Sequence, residues 1–322
     1  MAETTNISRM AEKLAGELFC QFGWARLGPT NTNWLCSIQE HEVETHPADV
    51  VFTYPHPYLS KNVYLNFDLK SYARGTIQRG TIHAAINKLS SEIECANYSQ
   101  AWRERFSNED NPAVDAALFI YNHDAEYDAS FADLLGGFDD RHARNLRGRQ
   151  VYVIGPADVS YMATVANDIS VLRGTGGLPP PGEPVHFYYP DLVGLQARSA
   201  RASVASIETL LGPWIIIRHD RTPSSSAGFI FYYRDPGESV DEFIFLFDMF
   251  FRYQMLDDEN AIRVCMVSPH VNAAAVFERA KAQYADGSVA SSDVAARLAR
   301  VTYRSVPNAI RRFSEIEIGM GE

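Results

Sequence analysis

Asp68 and Lys70 stand two residues apart near the end of segment 62–70, which reads as a β-strand. Side chains two apart on a strand share a face, so the acid and the amine point together while Leu69 points away. Nineteen residues before Asp68 lies a second acid, Asp49, at the start of a β-branched, aromatic run. A further thirty-two residues upstream, Glu17 falls on a helical pattern. Carboxylates of this kind are the hard oxygen ligands that Mg²⁺ or Mn²⁺ takes, and the Leu69 backbone carbonyl can add another oxygen. A lysine beside such a cation orients the attacking water or offsets phosphate charge. The chemistry favoured is metal-assisted phosphodiester hydrolysis.

Positioning these groups requires a set of ordered elements. Residues 8–24 place Met10, Leu14, Leu18 and Phe22 at helical spacing, with Gly23 or Gly28 as the stop. Glu12 and Glu17 share this helix. Five residues apart, they sit about 140° from each other around its axis and cannot both face inward. Segments 33–38, 48–54 and 62–69 are predicted strands. Segment 76–98 is a predicted helix with Ile77, Ile82, Ala85, Ile86, Leu89 and Ile93 on its apolar stripe. The continuous apolar runs 116–121 and 150–154 suit interior strands buried on both faces, and 159–172 reads as another helix. The layout is α/β with a mixed central sheet flanked by helices.

The ordered set Glu17, Pro47-Ala48-Asp49 and Asp68-Leu69-Lys70 resembles the PD-(D/E)xK nuclease superfamily, the restriction-endonuclease-like fold. The resemblance covers residues 8–172. It departs from the family's pattern at Ala48, which separates Pro47 from Asp49. It implies a Mg²⁺- or Mn²⁺-dependent nuclease, with Asp49, Asp68 and Lys70 catalytic and Glu17 completing the metal shell; it does not decide between DNA and RNA, of which DNA is the expected substrate. Many members act in restriction, repair or antiviral defence, so a subunit of a prokaryotic defence or restriction system is the biological expectation.

Arg74, Gln78 and Arg79 follow the motif at the start of the long helix and are candidate phosphate contacts. Arg144 and Arg147 belong to the single basic cluster, 141–149, and are candidates of the same kind. The net charge of −11 argues against broad, nonspecific nucleic-acid coating and favours a local basic groove with a protein partner or homo-oligomer helping to grip the substrate. The four cysteines show no paired zinc-finger spacing and read as scattered buried thiols of a reducing compartment. His46 and His56 read as loop residues. With no secretory pattern and no apolar stretch long enough to span a bilayer, the expectation is a cytoplasmic protein that makes no membrane contact.

The Pro- and Gly-rich stretch 174–182 is the clearest linker. It predicts a nuclease domain over 1–174, a linker over 175–184, and a C-terminal α/β accessory domain over 185–322 for recognition or oligomerisation. The phenylalanines at 243, 245, 247, 250 and 251 predict a helix buried on several sides. The rival to an enzyme is a noncatalytic interaction or scaffold subunit that keeps the nuclease-like fold.

Overall fold

Helix α1 (Ala2–Gln21) ends in a Schellman motif. Gly23 takes φ 85°, its N–H bonds to the Cys20 carbonyl at 3.1 Å, and the Trp24 N–H bonds to the Phe19 carbonyl at 3.1 Å. Glycine adopts this left-handed conformation without a Cβ clash, which is why the helix stops here. The motif lays the Trp24 ring on Phe19, with centroids 4.5 Å apart. The computed structural model of the protein describes residues 2–308 except 60, 108, 111, 139–147, 195–200, 223–225, 258 and 288–290.

After α1 come β1 (Ala25–Leu27), β2 (Thr32–Leu35), a 3-10 turn (Gln39–His41), β3 (Thr45–Ala48), β4 (Val50–Pro55) and β5 (Asn62–Tyr72). Helices α2 (Arg79–Ala96) and α3 (Gln100–Phe106) lead to β6 (Ala113–Asn122), α4 (Ala132–Leu135), β7 (Val151–Ile154) and α5 (Pro156–Gly174). The main sheet runs β1-β4-β5-β6-β7, antiparallel as far as β5 and parallel from there to β7. It is the mixed sheet that the sequence predicts. The run 48–54 is not one strand, however. β3 pairs with β2 in a separate two-stranded sheet and β4 joins the main one, so the chain changes sheets at Asp49.

The two faces of the main sheet carry different partners. Phe19 of α1 packs on Phe52, Phe67 and Phe119, at 5.3, 5.1 and 6.1 Å between ring centroids. On the other face, Ile82, Ile86, Leu89 and Ile93 of α2 pack on Ala116, Leu118 and Ile120 of β6. β6 is therefore buried on both faces, as its apolar run requires. β7 is not: it lies at the sheet edge and its first three residues are only half-buried.

The chain divides into two compact units at Ser160 and Tyr161, inside α5, and the Pro- and Gly-rich stretch lies in the second unit. That unit continues with β8 (His186–Tyr188), α6 (Pro190–Gly194), β9 (Arg201–Ala202), α7 (Ile207–Leu211), β10 (Trp214–His219), β11 (Gly228–Tyr233) and α8 (Val240–Arg252). It closes with β12 (Ala261–Val267), α9 (Ala273–Asp286), α10 (Ser291–Leu298) and β13 (Val301–Val306). Its sheet runs β13-β12-β11-β10-β8-β9, with β11, β12 and β13 parallel. Phe243, Leu246, Phe247 and Phe250 of α8 pack on Phe231, Val264 and Met266. Phe245 departs from the expectation that the phenylalanines bury the helix on several sides. It is 56% exposed, because its place in the helical turn faces away from that sheet.

Two readings of small residues are also corrected. Cys20 is exposed and Cys36 half-buried, so the thiols are not uniformly buried. His46 is not in a loop but is a buried member of β3. Among the described residues no helix is long and apolar enough to cross a membrane.

Candidate active site

The pairing of β4 with β5 ends at Val50 and Phe67. Beyond it, Asp49 Oδ2 accepts the backbone N–H of Leu69 at 2.7 Å. A strand residue directs its N–H and C=O to the same side, so the Leu69 carbonyl also faces the Asp49 side of β5. Asp68 lies in register with Leu118, which packs against α2, so the Asp68 carboxylate is on the α2 face of the sheet. Lys70 shares that face and donates from Nζ to Asp68 Oδ1 at 2.5 Å. Asp49, Asp68 and Lys70 thus come together as their order in the sequence predicts.

The sequence reading missed a fourth member, Glu92. It lies on α2, is 2% exposed, and has its carboxylate 3.6 Å from Lys88 Nζ. Its pKa is pushed up to about 8, chiefly by burial and further by the Asp68 and Asp49 charges, against the opposing Lys88 and Lys70. A signal was present: Glu92 interrupts the stripe of Leu89 and Ile93, a charged residue on the face that must enter the core. Asp49 is likewise pushed up to about 6, first by burial and then by the Asp68 charge, against the Leu69 N–H and Lys70. Burial disfavours the Lys70 ammonium, but the Asp68 and Asp49 carboxylates outweigh it and raise its pKa, so the side chain stays charged.

This donor set fits a divalent cation. Three carboxyl groups and a backbone carbonyl supply hard oxygens, and Lys70 and Lys88 together still leave Asp49 and Glu92 drawn towards their neutral forms. Asn66, two residues before Asp68 and on its face, is fully buried with both amide atoms lacking a protein partner. It offers a further oxygen.

Glu17 does not join the group. Its side chain is 62% exposed and pairs with Lys13 at 3.8 Å. The cause is geometric: α1 packs on the sheet face opposite Asp68. Helix phase turns Glu12 towards the loop before β2 instead. Glu12 accepts from Asn31 Nδ2 at 2.8 Å, and the Asn31 N–H bonds to the Asp49 carbonyl at 2.8 Å.

The predicted phosphate contacts are exposed at the approach to α2. Arg74 pairs with Asp128 at 2.9 Å, Gln78 donates to the Gly75 carbonyl at 2.7 Å, and Arg79 donates to the Asp133 carbonyl at 2.8 Å. Arg144 and Arg147 lie outside the described residues.

Residues 1–158 match the family model described as "GAPS4 protein PD-(D/E)XK nuclease domain". The comparisons with curated proteins and with solved structures found no match.

Proposed function

We propose that this chain, whose N-terminal half belongs to the PD-(D/E)XK nuclease superfamily, is a metal-dependent nuclease that hydrolyses phosphodiester bonds of DNA. The observation that carries the reading is the meeting of Asp49, at the junction of β3 and β4, with Asp68 and Lys70 of β5, within electrostatic reach of the buried Glu92 on α2. Asp49, Asp68 and the Leu69 carbonyl would hold Mg²⁺ or Mn²⁺, and Glu92 would complete the shell in the place the sequence assigns to Glu17. When bound, the cation stabilises charge developing on the phosphate and lowers the pKa of water.

The chain's own groups do the rest. The Lys70 ammonium donates to the attacking water and to a phosphate oxygen, where charge accumulates as the water oxygen bonds to phosphorus. The ester P–O bond breaks as the new P–O bond forms, the attacking water gives up a proton to solvent, and the leaving oxygen takes one up from solvent, so the proton count balances. Asp49 is held in position by the β5 backbone, so its carboxylate needs little reorganisation. Arg74, Gln78 and Arg79 exchange their present exposed partners for phosphates along the strand, and Arg144 and Arg147 are assigned the same role.

The acidic balance of the chain supports a protein partner or a second copy in gripping the substrate. The 1–174, 175–184 and 185–322 division assigns recognition or oligomerisation to the C-terminal part. A role in prokaryotic antiviral defence or restriction, in the cytoplasm, follows from the superfamily and from four free cysteines.

The test is incubation of the full chain with supercoiled plasmid, linear duplex, single-stranded DNA and RNA, in Mg²⁺, Mn²⁺ or EDTA. Metal-dependent cleavage lost in Asp68→Ala and Lys70→Ala supports the reading and gives the substrate class. Absence of both cleavage and metal binding by calorimetry overturns it in favour of a noncatalytic subunit.

A further inference from the structure

Cys36, His41, His46 and Cys95 direct one ligand atom each to a common point, all four atoms within 4.8 Å of one another. We infer that these residues form a structural zinc site, separate in chemistry from the carboxylate cluster, that fastens the β2–β3 hairpin to the end of α2.

The distances fit a tetrahedral ion. With Zn–S of about 2.3 Å and Zn–N of about 2.05 Å, tetrahedral angles set S···S at about 3.8 Å, S···N at about 3.6 Å and N···N at about 3.3 Å. Here Cys36 Sγ lies 3.7 Å from Cys95 Sγ and 3.7 Å from His41 Nδ1. His46 Nε2 lies 3.2 Å from Cys36 Sγ and 3.1 Å from His41 Nδ1. A hydrogen-bonded cluster accounts for the arrangement less well. Two imidazole nitrogens at 3.1 Å can share one proton between them, and thiols are weak donors, yet four lone-pair atoms converge. Two sulfurs and two imidazoles select a borderline-soft, tetrahedral ion and disfavour magnesium.

The surroundings are those of a built site. The Ser37 N–H donates to Cys95 Sγ at 3.0 Å and the Ile38 N–H points to Cys36 Sγ at 3.5 Å, so backbone donors already face both sulfurs. Glu94 Oε2 lies 3.5 Å from His41 Nε2, the outer carboxylate that orients a metal-bound histidine. The Trp34 ring flanks His46 at 4.9 Å between centroids. Below lie Trp102, Phe106 and Ala96.

The ligands come from two segments of chain, 36–46 and the end of α2. Cys36 follows β2, His41 ends the 3-10 turn in the hairpin loop, His46 is in β3, and Cys95 is in the last turn of α2. A two-stranded sheet is marginal by itself, and this one runs straight into Asp49. Cys95 lies one turn beyond Glu92 on the same helix. The ion therefore fixes, relative to each other, the two segments that supply Asp49 and Glu92.

The experiment is metal content of the full chain, purified without chelator, together with the visible spectrum after cobalt replacement. The expected result is about one zinc per chain, and for cobalt the strong visible bands of a tetrahedral ion with a sulfur-to-metal band in the near ultraviolet. Cys36→Ser and His41→Gln, both in the hairpin loop, lose the ion. Glu94→Gln weakens it roughly tenfold. Asp68→Ala retains the zinc whether or not it retains activity, so the outcome is independent of the catalytic reading. Three findings overturn the site: less than stoichiometric zinc or cobalt in wild type after reconstitution, zinc content unchanged in both loop variants, or a Cys36–Cys95 disulfide in protein from a reducing cytoplasm.

Discussion

Asp49 Oδ2 holds the Leu69 backbone N–H at 2.7 Å, one step past the last paired residue of β4. The carboxylate is thereby fixed to the strand that carries Asp68 and Lys70. Burial and the Asp68 charge already press Asp49 towards its neutral form, up to about 6. Asp49→Asn therefore removes the negative charge without removing the oxygen that Leu69 needs. Metal-dependent cleavage falls by about a hundredfold or more, while the melting temperature without metal at pH 8 stays level or rises. Single-turnover cleavage and thermal melts, run in parallel, check both halves.

Glu12 and Glu17 separate a structural link from a solvated pair. Glu17 is exposed beside Lys13, so Glu17→Ala changes stability by less than about 0.5 kcal/mol and leaves cleavage intact. Glu12→Ala frees Asn31, whose N–H meets the Asp49 carbonyl, and lowers cleavage several-fold. If Glu17→Ala proves the more damaging of the two, the assignment of helix phase is wrong.

The strand motif was legible because it is local: Asp68 and Lys70 need only the period of two to share a face, and Asp49 only the strand order. Glu17 stands apart from the group because a helix pattern gives phase relative to its own axis, not the face of the sheet it will cover. That face is set by the aromatic packing of Phe19 on Phe67, a long-range contact. Glu92 showed a weak signal, a lone charge in an apolar stripe. The convergence of Cys36, His41, His46 and Cys95 showed none. Their spacing matches no compact motif, and only the hairpin register of Trp34 with His46, docked on α2, brings them together. In the second half, the apolar runs gave the strands. The short β8 and β9 at the sheet edge carry too few residues for a periodic pattern.

A buried ion pair in the second unit gives a stability test away from the candidate site. Asp168, 6% exposed, accepts from Tyr232 Oη at 2.7 Å and from Arg304 Nη2. Asp168→Ala strands the Tyr232 hydroxyl and the Arg304 charge together. Urea unfolding of the full chain is expected to show a loss of about 3 kcal/mol. Asp168→Asn, which keeps an acceptor, loses less. Small losses in both variants would mean that the Arg304 charge is solvated well enough to need no partner.

Glu92 makes the stability of the metal-free protein depend on pH in an unusual direction. Its pKa rises from the ordinary 4.5 to about 8, with burial the main cause. The folded state then keeps a proton that the unfolded chain releases. The stability this gives is complete below the unfolded pKa and is lost as pH rises through the folded one. Asp49, raised from 3.8 to about 6, acts in the same sense over the lower part of the window. Without metal, stability should fall between about pH 4.5 and 8, by a few kcal/mol at about 1.4 kcal/mol per pH unit. Glu92→Gln cannot ionise, so it removes most of that slope and is more stable than wild type at pH 8. Added Mg²⁺ reverses the wild-type trend, since a cation favours the ionised carboxylates, and raises the melting temperature more at pH 8 than at pH 5. The same Mg²⁺ addition shifts Glu92→Gln less if the carboxylate is a ligand. Melts of both proteins from pH 4.5 to 8.5, with and without Mg²⁺, decide the matter. A wild-type curve parallel to that of Glu92→Gln would show that Glu92 ionises freely and is not buried among the site's carboxylates.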